Sequence, residues 1–96
     1  MNTREEREAA VSAEALRAIA ECLRHLACGY GLLPAERSAC LRLLEAGIPG
    51  VGDADLAAAR KILAASRRLT SRQQNRAAEL SVRLAGQVTG LRESNR

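Results

Sequence analysis

The chain has no phenylalanine and no tryptophan, and its single tyrosine is Tyr30. Without large rings, the core has to be assembled from Leu, Ile, Val and Ala. Alanine removes little apolar area from water and contributes in proportion. A 96-residue domain built this way has a thin core, which favours either close helix packing or dimerisation. The same lack of aromatics disfavours single-stranded nucleic acid as a ligand, because such binding leans on stacking of bases. No apolar run approaches the roughly 20 residues that span a bilayer, so no membrane partner is expected. The opening residues, MNTREERE, lack the apolar stretch of a secretory signal, and a cytoplasmic location is expected. Three cysteines, Cys22, Cys28 and Cys40, are too few and of the wrong parity for a disulfide framework, and fit a reducing compartment.

Catalytic signatures are missing as well. There is no phosphate-binding loop, no dinucleotide fingerprint and no nucleophile elbow. The chain has one histidine, His25. Its acids in the first third (Glu5, Glu6, Glu8, Glu14, Glu21) sit where the positive end of a helix favours them. An enzyme is the least expected class, and no cofactor is implied.

What the chain does have is helix formers. Ala, Leu, Arg and Glu dominate, and all four favour helix. No segment alternates apolar and polar residues with period two, so no strands are expected. The first helix is expected from near Thr3 to about Cys28, with Thr3 and Glu6 as a capping box. Its seam is Leu16, Ile19, Leu23 and Leu26, continuing to Tyr30 and Leu33 in a heptad-like rhythm. Gly29 and Gly31 suit a helix end. A second helix starts at Pro34, a residue suited to the first helical position, carries Cys40, Leu43 and Leu44 inward, and ends at Ala46. Gly47 then fits a left-handed cap, Ile48 folds back, and Pro49 forbids continuation. The third helix follows Gly52, capped by Asp53 or Asp55, with Leu56, Ala59, Ile62 and Leu63 inward. "TSRQ" at Thr70–Gln73 reads as another capping box and opens a fourth helix with the stripe Ala77, Leu80, Leu84, Val88 and Leu91. The expected fold is one all-α domain over residues 1–96. It is a compact four-helix bundle of two long and two short helices, with frayed ends at 1–3 and 92–96 and a possible dimer through the heptad-like seams. Leu16, Ile19, Leu23, Leu26, Leu80 and Leu84 are the core or dimer seam.

Two local patterns point toward specific chemistry. Ile48–Gly52, "IPGVG", resembles the turn of the helix-hairpin-helix family, whose backbone amides grip a DNA phosphate. The resemblance covers five residues. In that family a small residue and then an apolar pair follow in fixed register. Here Leu56, and then Ala59 with Arg60, occupy those places. The stretch is therefore read as a helix stop and a connector. The second pattern is Cys22-x2-His25-x2-Cys28 with Cys40 further on, four residues of the types that bind zinc. Helical spacing does not let all of them converge, and they are read as ordinary helix residues with no metal.

Charge is uneven. Residues 1–52 carry six Arg against seven acids, whereas residues 53–96 carry nine Lys and Arg against four acids. Arg60, Lys61, Arg67, Arg68, Arg72, Gln73, Arg76 and Arg83 are the candidate contacts to a partner, because Arg suits carboxylate and phosphate forks. The expected function is that of a small regulatory or accessory protein that binds an acidic surface of another protein, as adaptor or inhibitor, for instance of a nucleic-acid-processing complex, and as a homodimer. Chains of this size and kind occur among accessory proteins of phages and plasmids. The alternative is a regulator that binds duplex DNA through the third and fourth helices, with Gln73, Gln74, Asn75 and Arg76 at the reading end.

Overall fold

The computed structural model describes residues 3–48, 51–65 and 68–94; the side chains of residues 3–6, 8, 9 and 90–94 fall outside that description. The described residues form four helices: α1 (Thr3–Ala27), α2 (Pro34–Ala46), α3 (Asp53–Leu63) and α4 (Ser71–Ser94). Among the described residues there is no strand. No described helix is long and apolar enough to cross a membrane. The all-α fold of two long and two short helices is the one expected from the sequence. The expectations for the Thr3–Glu6 cap, Leu91 and most of the frayed ends fall on residues or side chains outside the description.

The long helices form the main packing unit. They run antiparallel, since the Ser81 hydroxyl donates to the Ala20 carbonyl at 2.8 Å and Gln74 lies beside Gly29. Across the interface α1 supplies Leu16, Ile19, Leu23 and Leu26, and α4 supplies Ala77, Leu80, Leu84 and Val88, all buried. Small residues are buried on both helices, Ser12, Ala13, Ala15 and Ala20 on α1 and Ala77 and Ser81 on α4, and small side chains allow helices to approach closely. The short helices complete the bundle. Cys40 of α2 meets Cys22 of α1, while Asp55 of α3 meets Arg83 and Gln87 of α4. Adjacent helices therefore alternate in direction, the arrangement that short connections impose.

The helix ends follow from local chemistry. At the end of α1 the Gly29 amide donates to Leu26 O at 3.1 Å and the Tyr30 amide to His25 O at 2.9 Å. Gly29 has φ +87°, a conformation that glycine adopts without a Cβ clash. The Tyr30 ring meets His25 edge-on, with centroids 6.4 Å apart. This cap corrects the expected seam. The helix stops at Ala27, so Tyr30 and Leu33 leave the stripe and are 67% and 66% exposed. Leu33 is instead the N-cap residue of α2, and its amide donates to Glu36 Oε1 at 3.2 Å. Pro34 takes the first helical position, as expected. Gly47 has the expected positive φ of 80°, but with ψ 154°. That is the extended region reserved for glycine and not the left-handed helical one. Ile48 is buried, as expected. Pro49 and Gly50, the centre of the hairpin-like turn, lie outside the described residues.

The start of α3 differs from expectation. Its N-cap is Gly52, and no side chain caps it. Asp53 and Asp55 lie inside the first turn, where the helix dipole still favours them. The start of α4 is the expected reciprocal cap. The Thr70 amide donates to Gln73 Oε1 at 2.9 Å, and the Gln73 amide donates to Thr70 Oγ1 at 3.2 Å.

Two substitutions separate these contributions. Leu84→Ala empties a fully buried position at the α1–α4 interface and is expected to cost about 2–5 kcal/mol. Thr70→Ala removes one cap acceptor and is expected to cost about 1 kcal/mol, with Thr70→Ser retaining most of it. Urea unfolding followed by circular dichroism reads both.

Candidate functional site

The basic residues expected to meet a partner divide into separate groups. Lys61 of α3 and Arg72, Gln73 and Arg76 of α4 line one groove of about 320 Å³. Its remaining lining is Ala58 and Ile62. All four polar residues are exposed, while Ala58 is half-buried and Ile62 buried. The groove is thus an apolar floor with three cations on its rim and no carboxylate in its lining. The antiparallel course of α3 and α4 builds it, because the last turn of α3 then lies beside the first turns of α4. Lys61 stands at the C-terminal end of α3, where a cation is electrostatically favoured.

Arg83 is placed elsewhere. Its guanidinium Nη2 lies 3.1 Å from Asp55 Oδ1, and Gln87 Nε2 donates to Asp55 Oδ2 at 3.1 Å. Asp55 is mostly covered and Arg83 mostly exposed, so the pair joins the start of α3 to the middle of α4. Arg83 therefore serves the fold and lies outside the groove. Arg68 lines a second hollow of about 310 Å³, together with Tyr30, Arg37, Leu26, Ile62 and Gln74. The Nε of Arg37 is buried there without a hydrogen-bond partner among the described residues. Arg60 is exposed on α3 and lines neither hollow. Arg67 lies outside the described residues.

The six seam residues, Leu16, Ile19, Leu23, Leu26, Leu80 and Leu84, are all buried within one chain. Among the described residues, the large exposed apolar side chains are Val11, Tyr30, Leu33 and Val82.

The Cys and His residues also separate. Cys28 is exposed past the end of α1, whereas Cys22 and Cys40 are buried with sulfurs 3.1 Å apart. His25 is half-buried and lines a hollow of about 240 Å³ beside that pair, with Glu21 and Glu36. Among the described residues, no three His, Cys, Asp or Glu side chains are grouped to hold a metal ion. Burial pushes the Cys22 thiol up from 9.0 to about 12, reinforced by its hydrogen bond with Cys40 and by the charges of Cys40, Glu36 and Glu21. A thiol of this kind is a poor nucleophile at neutral pH.

The rim of the groove is legible in the sequence but its floor is not: Ile62 belongs to the inward stripe of α3, and nothing in the sequence singles out Ala58. The contact between Cys22 and Cys40 is also missed. A signal for that contact was present. The two residues lie nearly the same distance from the α1–α2 connection, so an antiparallel helix pair brings them level.

The Cys22 shift predicts an alkaline weakness. Below pH 9 the thiol is protonated in both the folded and the unfolded chain. Between about pH 9 and pH 12 the unfolded chain releases this proton while the folded chain keeps it. Stability contributed by the neutral thiol is therefore lost as pH rises through that window. Urea midpoints at pH 8 and pH 10.5 are expected to fall more steeply for the natural chain than for Cys22→Ala.

No protein family, curated protein or solved structure matches this chain.

Proposed function

We propose that the protein is a non-enzymatic binding module whose α3–α4 groove takes an acidic segment of a partner protein. The observation that carries this reading is the pairing of an apolar floor, Ala58 and Ile62, with the cationic rim of Lys61, Arg72 and Arg76. A segment that seats one aliphatic side chain on the floor, with carboxylates on either side, satisfies both parts. Rim charges of this sort steer encounter and select partners by sign more than they add affinity. Duplex DNA satisfies only the rim, because a phosphate backbone offers nothing to cover the floor. Arg68 lines the other hollow and Arg60 neither, so these two and Arg83 are not assigned to the contact. An adaptor or inhibitor role follows from such a groove, and no second copy of the chain is needed for it.

Fluorescence anisotropy with three labelled probes tests the reading. The first is a short Asp- and Glu-rich peptide with leucine at its centre. The second has the same charge with serine in place of leucine, and the third is a random duplex DNA. The leucine peptide is expected to bind at least about tenfold more tightly than the serine peptide, as burial of an aliphatic side chain implies. Lys61→Glu, Arg72→Glu and Arg76→Glu are each expected to weaken it severalfold, and Arg83→Gln to leave it unchanged. Equal binding of the two peptides would overturn the reading. So would duplex binding that is stronger than either and falls steeply with salt, as counterion release dictates.

A further inference from the structure

We propose that Cys22 and Cys40 form a reversible disulfide that ties α1 to α2. The two sulfurs face each other across the helix interface at 3.1 Å, and both residues are buried. A disulfide needs about 2.05 Å, so closing the bond requires an approach of about 1 Å, within reach of small rotations about the side-chain torsions. The residues lie 18 positions apart on different helices, so the bond constrains how α2 sits on α1. Cys28 provides a contrast within the same chain, because it is exposed and lies beyond the helix end.

The surroundings decide which oxidant fits. A hollow of about 240 Å³ opens onto both cysteines, with Glu21, His25 and Glu36 in its lining. It admits a molecule of peroxide size. The two carboxylates disfavour a bulky anionic disulfide such as oxidised glutathione. With hydrogen peroxide, Cys40 rather than Cys22, whose thiol burial keeps protonated, loses its proton and attacks an oxygen as the thiolate, and the O–O bond breaks. The hydroxide released takes up that proton, leaving a sulfenic acid and water. The second sulfur then attacks the sulfenic sulfur. The S–S bond forms, and the sulfenic oxygen leaves as water with the second thiol's proton. In sum, two thiols and one peroxide give one disulfide and two waters. A small dithiol reverses the change by exchange. The bond leaves the α3–α4 groove uncovered, so the device is independent of the binding reading.

The experiment treats the folded natural chain with a small excess of hydrogen peroxide, quenches free thiols by alkylation and digests with trypsin without reduction. Before alkylation, the intact mass is expected to fall by about 2 Da. A linked pair of peptides, residues 18–24 joined to residues 38–42, is expected in the digest. The oxidised protein is expected to melt roughly 10 °C above the reduced one, and dithiothreitol should restore the starting mass and melting point. The Cys28→Ser variant should give the same linked peptides. Three results would overturn the proposal: retention of both Cys22 and Cys40 as free thiols, over-oxidation of either without linkage, or linkage that always runs through Cys28.

Discussion

The close antiparallel contact of α1 with α4 is the constraint on which the other features depend. A chain without Phe or Trp cannot fill wide gaps between helices. It compensates by bringing two long helices together over small residues, with Ser12, Ala13, Ala20, Ala77 and Ser81 buried between leucines. Dispersion contacts then replace the bulk that rings would supply. The hydrogen bond from Ser81 to the Ala20 carbonyl fixes the register of that contact. A slip by one turn would leave the serine hydroxyl buried without a partner, which is costly in a dry interface. With this register set, the short connections leave α2 and α3 little freedom except to lie along the same pair.

Much of this was legible in the sequence, for physical reasons that differ by element. The stripes of α1, α3 and α4 are visible because burial repeats with helical period, and Leu16 through Leu26 carry that period plainly. Pro34 and the Thr70–Gln73 pair mark helix starts because their chemistry is local. Spacing alone does not see a cap, so the stripe in the sequence runs on through Tyr30 and Leu33. The bonds from Gly29 and Tyr30 turn the backbone before the stripe can continue. Residue preference favours Asp53 or Asp55 as the cap of α3. Gly52 holds the cap position instead, and Asp55 is drawn to Arg83 and Gln87.

The candidate site was legible only in outline. A list of basic residues from α3 and α4 says nothing about which of them share a surface. The fold separates them: Lys61, Arg72 and Arg76 around one groove, Arg68 in another hollow and Arg83 in an ion pair with Asp55. That division depends on the relative direction and offset of two helices, which no local pattern encodes. The cysteines teach the same lesson. Cys22 and Cys40 are unremarkable one at a time and acquire a shared chemistry only when α1 and α2 are laid side by side.

Gln73 belongs to two structures at once. Its side chain closes the cap of α4, and the same residue lines the groove between α3 and α4. The first turn of α4 is thus both a capped helix start and a wall of the groove. A change at Gln73 that reshapes the groove also loosens the point at which the helix begins. The groove can be retuned freely through Lys61, Arg72 and Arg76, whose side chains reach outward, but its end wall is bound to the start of the helix itself.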